Sequence, residues 1–171
     1  MSLRPIIMLD FDEVIVLNRP EDVGGFDAIS ADSPPGFWKR LFHEPAMTTL
    51  KEAIAMHHAR VVITTSWLRF LGRDGFEHIF RQTELDVLSN SLHDCWEAPQ
   101  NRGETRAQAI DRWLAVNHRG EPYVILDDEI SGTGLRKSIH DKSKRVILCR
   151  VDVGLHVGHL PIIHAALLKA P

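Results

Sequence analysis

The sequence predicts an α/β fold, a three-layer sandwich with a central, mainly parallel sheet, on three observations. Short apolar runs alternate with segments of helical period, several of these runs stop abruptly on polar residues, and no intervening stretch is long enough for a large separate cap domain. The 171 residues fit one domain of ordinary size, read here as residues 1–171.

Composition narrows the function classes. Apolar residues make up 44% and charged residues 25%, the balance of a soluble globular protein. A net charge of -3 and a pI near 6.3 provide no global basic footprint of the kind that non-specific nucleic-acid binders use. No apolar run reaches bilayer length, and MSLRPIIML is too short and too quickly followed by acids for a secretory signal, so a cytoplasmic protein without membrane contact is expected. Cys95 and Cys149 lie far apart outside any CxxC spacing and read as two small buried hydrophobes.

The elements follow in order. Residues 5–10 predict a buried strand, opened by Pro5 and ending at the first carboxylate. Residues 19–36, RPEDVGGFDAISADSPPG, hold turn formers at high density, and 19–44 is the one stretch placed to form a small lid near that strand's end. From Pro45 to His58, Met47, Leu50, Ile54 and Met56 recur near helical spacing. RVVITTSW then gives a β-branched strand over Val61–Ile63 that ends in three hydroxyls. DGFEHIFRQ predicts a helix and LDVLS a short strand. ETRAQAIDRWLAVN is a clearer helix, with Ala107, Ile110, Trp113 and Leu114 on one face and Gly120 beyond its end. PYVILDDE repeats the opening design, KRVILCRV is a further strand, and HLPIIHAALLKA is the last helix.

In open parallel sheets, ligands bind at the carboxyl ends of strands, near the point where strand order reverses. Those ends carry Asp10 and Asp12; Thr64, Thr65 and Ser66; and Asp127 and Asp128. Gathered on one edge, they make a carboxylate cluster beside hydroxyl donors, an oxygen-rich set suited to Mg²⁺ and phosphate. Asp10 is then a plausible nucleophile, and Asp12, two residues on and on the same side, a proton donor to the leaving oxygen.

This constellation resembles the haloacid dehalogenase (HAD) superfamily of phosphatases. MLDFDEV matches its Asp-x-Asp motif, VVITTSW the Thr or Ser closing a second strand, a basic residue near a helix start its third motif, and VILDDE its closing acidic pair. TTSW, RAQAIDRWL before PYVILDD, and the closing VDVGLHVGHLPIIHAALL are more narrowly similar to the HAD domain of Swiss Army Knife RNA repair proteins. The resemblance implies a HAD-like, Rossmann-like sandwich with a minimal cap. It implies Asp10 as nucleophile and magnesium ligand, and Asp12 as general acid and base that also binds Mg²⁺ through its backbone carbonyl. Asp127 or Asp128 completes the protein ligands. Thr65, with Thr64 the alternative, would hold phosphoryl oxygens, and Arg106, with Arg102 a competitor, would take the basic position.

Two departures stand out. Glu13 occupies a place where the family usually has Gly, adding charge and bulk beside the nucleophile, so a narrowed site or a lower phosphate affinity is expected. Arg106 replaces the commoner Lys, and a planar guanidinium does not reproduce a compact ammonium.

Plainer readings stand beside these. Hydroxyls after a strand often cap the next helix. His57 and His58 suit a helix C-terminus, and His156, His159 and His164 match no compact zinc spacing. Of the four tryptophans, Trp113 reads as core, and Trp67 is the one that could line a substrate entrance, with core packing the plainer account of it as well. RKSIHDKSKR, residues 136–145, concentrates five basic residues, a solvated face in the plain reading and a strip that would suit a polyanion in the other.

The expected activity is thus Mg²⁺-dependent phosphoester hydrolysis through an aspartyl-phosphate, on a small phosphorylated molecule or a nucleic-acid end, with no obligate protein partner. The alternative is a catalytically weak or inactive HAD-fold binding or regulatory module. A receiver-type phospho-acceptor is disfavoured, because there the acidic pair follows the first strand rather than a later one.

Overall fold

A computed structural model describes residues 3–18 and 36–169. Five strands, β1 (Ile6–Leu9), β2 (Arg60–Ile63), β3 (Leu92–Glu97), β4 (Tyr123–Asp128) and β5 (Val146–Cys149), form one sheet in the order β3-β2-β1-β4-β5. Every pairing is parallel, with Ile6 opposite both Arg60 and Tyr123. The chain winds outward from β1 through β2 to β3 and then crosses to β4 on the other side. Strand order therefore reverses between β1 and β4, which puts the carboxyl ends of these two strands at the crevice.

Both faces of the sheet are covered, which is why its central strands read as unbroken apolar runs. Ile7, Leu9, Val61, Ile63, Val124 and Leu126 face one layer, formed by α2 (Glu44–His57), α3 (Arg73–Gln82), α4 (Asp86–Ser91) and α7 (Leu160–Leu168). Ile6, Met8, Val62 and Ile125 face α5 (Arg106–Asn117), which contributes Ala107, Ile110 and Trp113. Thr105 begins α5 with a capping box, its hydroxyl accepting from Gln108 N–H while the Gln108 side chain accepts from Thr105 N–H. α2 carries Pro45 in its first turn and ends at His58, whose φ of 48° stops the helix.

The structure corrects the sequence reading in several places. LDVLS is not a strand: its residues fall in and just before α4, where Leu85 and Leu88, three apart, are both buried. The strand comes next, as LHDCWE, and its polar, partly exposed side chains reflect its place at the sheet's edge. Cys95 lies on this edge strand and is exposed, unlike the buried Cys149. Trp67 is fully buried and lines no entrance: it packs edge-on against Phe11 and Phe42 with ring centroids 5.3 and 6.3 Å apart.

Of the expected lid, residues 19–35 lie outside the described residues. The remainder forms α1 (Phe37–Leu41) and the start of α2. It is stitched to the loop after β1 by hydrogen bonds from Leu17 N–H to Leu41 O and from His43 N–H to Ile15 O. In the basic run, Arg136, Lys137, Lys142 and Lys144 are exposed. Arg145 instead is buried over the Tyr123 ring, and His140 bonds Tyr123 and Asp111 from within a short helix, α6 (Ile139–Lys142). Among the described residues no helix is long and apolar enough to cross a membrane.

Candidate active site

Strand alternation carries the site residues to one place. Ile6 and Met8 face α5, so Asp10 continues that face; Ile125 leads in the same way to Asp127, and Val62 to Thr64. Arg106, the first residue of α5, enters the same space. Its backbone N–H donates to Thr133 Oγ1 at 2.9 Å, and its side chain is only 2% exposed. Arg106 Nη2 stands 3.4 Å from Asp10 Oδ1, and its Nε 3.0 Å from Asp127 Oδ2. Arg102 is exposed in the turn before α5.

Asp10, Asp127 and Asp128 are all buried, and each offers an oxygen within 4.8 Å of the others. They are the only group of three or more such side chains gathered among the described residues. Burial raises the Asp10 carboxyl above its ordinary range against the pull of Arg106. Burial, reinforced by Asp10, holds Asp127 well above it. One guanidinium therefore does not balance the cluster.

The polar bookkeeping agrees. Asp10 Oδ1, Asp127 Oδ2 and Arg106 Nε and Nη1 are buried without a hydrogen bond, so the Arg106 contacts are charge pairs whose N–H groups are poorly aimed. Orphaned oxygens in a buried, excess-negative site suit a hard divalent cation. Burial, then the charge of the same acids, pushes the Cys149 thiol up to about 12, so it stays protonated.

Ser131 was not foreseen. Its hydroxyl lies among all three carboxylates, 2.9 Å from Asp10 Oδ2 and 3.1 Å from Asp127 Oδ1, with a contact to Asp128 Oδ2 as well. It is brought there by a tight turn in which Asp128 Oδ1 accepts from the N–H groups of Ile130 and Ser131. The only sequence signal is an aspartate followed three residues later by a serine.

Asp12 stands apart from the three. Its Oδ2 accepts from Trp67 Nε1 at 3.0 Å and its Oδ1 from Asn18 Nδ2 at 3.3 Å. Burial, then the charge of Asp10, raises it to about 6. Thr64 Oγ1 is buried without a partner, whereas Thr65 Oγ1 accepts a long 3.5 Å bond from Trp67 N–H, which leaves its own hydroxyl proton uncommitted. Neither threonine bonds a carboxylate.

Glu13 adopts a φ of 57°, the left-handed conformation that favours glycine and costs another residue roughly 1 to 2 kcal/mol. Its carboxylate is occupied elsewhere than in the cluster: Oε1 accepts from Asn18 N–H at 3.0 Å and Oε2 from Asp152 N–H at 2.7 Å. The added charge is thus spent on loop backbone rather than on crowding Asp10.

No curated protein and no solved structure matches the chain. One family does: the model for the HAD domain in Swiss Army Knife RNA repair proteins covers residues 6–160, from the first residue of β1 to the first of α7. With nearly the whole described fold and every one of the clustered carboxylates inside that match, the chain belongs to the HAD superfamily, in the family of domains found in Swiss Army Knife RNA repair proteins.

Proposed function

We propose that the chain is a Mg²⁺-dependent phosphoester hydrolase acting through an aspartyl-phosphate. The supporting observation is the convergence of buried Asp10, Asp127 and Asp128 with Arg106 at the strand-order reversal. Family membership supports a phosphatase-like activity.

In this reading Asp10 attacks phosphorus, and the bond from phosphorus to the leaving oxygen breaks while Asp12 gives that oxygen its proton. Asp12, now a carboxylate, takes a proton from water; the water oxygen attacks phosphorus, and the bond to Asp10 breaks, freeing inorganic phosphate. A carboxyl raised to about 6 keeps a protonated fraction near neutrality, as the first step needs. Arg106 orients the Asp10 carboxylate and draws the phosphoryl oxygens, while the proton of Thr65 Oγ1, or of Thr64 Oγ1, donates to one of them. Asp10, Asp127 and Asp128, with the Asp12 carbonyl, would hold the magnesium ion. When bound, it offsets the negative charge shared by carboxylates and phosphate.

The proposed substrate is a phosphomonoester, with nucleotide and polynucleotide end phosphates foremost, in keeping with the family's description. The test is inorganic phosphate release from a panel that includes 3'- and 5'-phosphorylated oligonucleotides, with and without Mg²⁺, for wild type and Asp10→Asn. Metal-dependent release by the wild type alone supports the mechanism. Release indifferent to Mg²⁺, or equal in both proteins, overturns it.

A further inference from the structure

We infer that Glu13 is a positioning residue, a clamp that fixes the proton-donating Asp12 through Asn18 and ties the loop after β1 to the loop after β5. This rests on the hydrolase reading for the role of Asp12, although the clamp itself is a matter of contacts.

The contacts form a chain. Glu13 Oε1 fixes the backbone N–H of Asn18, and the Asn18 side chain donates to Asp12 Oδ1. The far oxygen of Asp12 is held by buried Trp67. Asp12 thus has one buried holder and one exposed one, and among the hydrogen bonds described the Asn18 backbone N–H is held by Glu13. Glu13 holds it from the interior, being 8% exposed.

The other oxygen reaches across the sheet edge to Asp152 N–H, in the loop that follows β5. The two loops meet closely there: Leu155 N–H donates to Val14 O, and a side chain at Gly154 would come within 2.9 Å of the same oxygen. Glycine at position 13 would relax the backbone and lose both bonds. A strained glutamate retained at this position is explained by the two contacts that glycine cannot make.

A displaced general acid has a specific kinetic signature. p-Nitrophenolate leaves without needing a proton, whereas an alkoxide does not. In kcat/KM, which reports the steps up to phosphoryl transfer to Asp10 and not the shared attack of water, Glu13→Gly should therefore lose about tenfold or more on an alkyl phosphate and less than about threefold on p-nitrophenyl phosphate. Glu13→Gln, which keeps one oxygen acceptor, should recover part of the alkyl phosphate rate. Adding Asn18→Ala to Glu13→Gly should cost little beyond the single change, because both act through one carboxyl.

Hydrogen exchange on the full chain makes the clamp testable apart from the chemistry. In folded Glu13→Gly, confirmed by circular dichroism, the amides of Asn18 and Asp152 should exchange faster than in wild type; if the glycine variant does not fold, Glu13→Gln, left with one acceptor oxygen, should speed exchange at one of the two amides. Unchanged exchange at both amides overturns the clamp. Equal losses of kcat/KM on the two substrates, or none on either, overturn its action on Asp12. Faster exchange in a chain whose wild type hydrolyses neither substrate would uphold the clamp and sink the hydrolase reading instead.

Discussion

Trp67 Nε1 donates a 3.0 Å hydrogen bond to Asp12 Oδ2, from an indole that is 1% exposed. A ring locked between Phe11, Phe42 and Trp38 is a stiff support, so one carboxyl oxygen is fixed by the core itself. Trp67→Phe keeps an aromatic ring there but removes the donor and leaves a small void. The expected result is a loss of about 1 to 3 kcal/mol in chemical denaturation. Alkyl phosphate hydrolysis, read by phosphate release, should fall about three- to tenfold.

The metal proposal makes a stability prediction that needs no substrate. Three buried carboxylates face one guanidinium, and under the proposed metal site a divalent cation would bind the folded chain far better than the unfolded one. At a hundredfold excess over Kd this linkage is worth about 2.7 kcal/mol. For a chain of this size it should raise the Tm by about 5 to 10 °C. Differential scanning fluorimetry with Mg²⁺, and then with excess chelator, checks the rise and its reversal. Asp127→Asn should lose most of the rise.

What could be read in the sequence follows from where each residue sits. β1, β2 and β4 announce themselves because central parallel strands are apolar on both faces, and their polar ends mark the edge where Asp10, Thr64 and Asp127 emerge. β3 is hidden because an edge strand has no such pattern, and the apolar pair Leu85 and Leu88 upstream of it drew the strand assignment to what is a helix. The choice between Arg106 and Arg102 depends on tertiary packing, since both stand just before or at the start of a helix. Ser131 was invisible because a lone serine in a loop is common. Glu13 was visible as an oddity, but its partner Asp152 lies 139 residues away, so its job was not.

Gly132 allows the turn that presents Ser131. A Cβ there would fall 2.5 Å from Asp128 O, a backbone atom that cannot yield without moving the end of β4, and 2.8 Å from Leu148 Cδ2, a side-chain end that can rotate away. Gly132→Ala should therefore cost about 1 to 3 kcal/mol. It should also weaken Mg²⁺ binding, because Asp128 is part of the displaced turn. Ser131→Ala provides the comparison, removing the hydroxyl without moving backbone, and should leave the Tm rise on Mg²⁺ addition largely intact. Fluorimetry of both variants across a Mg²⁺ series separates these effects.

Three histidines weaken the fold on the acid side. His57 Nε2 and His164 Nδ1 lie 2.7 Å apart, joining the end of α2 to α7, and one ring must offer a lone pair to the other's N–H. Burial, then His164, lowers the His57 value below the ordinary 6.5; burial also lowers His93, with Arg60 adding to it, and His159, with His156 adding to it. Each of these imidazoles binds a proton less readily in the folded chain than in the unfolded one. Between the folded value and about 6.5 the unfolded chain therefore holds more protons, and stability falls as pH is lowered through that window. Below the folded values the loss levels off, and above about 7 it is absent. The raised carboxyls of Asp10, Asp12 and Asp127 act in the opposite sense, gaining stability as pH falls, so the His57 contribution is read as a difference: between pH 7.5 and 5.5 in metal-free buffer the Tm of His57→Gln should gain on that of the wild type. An unchanged slope in that variant would remove the His57–His164 pair from the account.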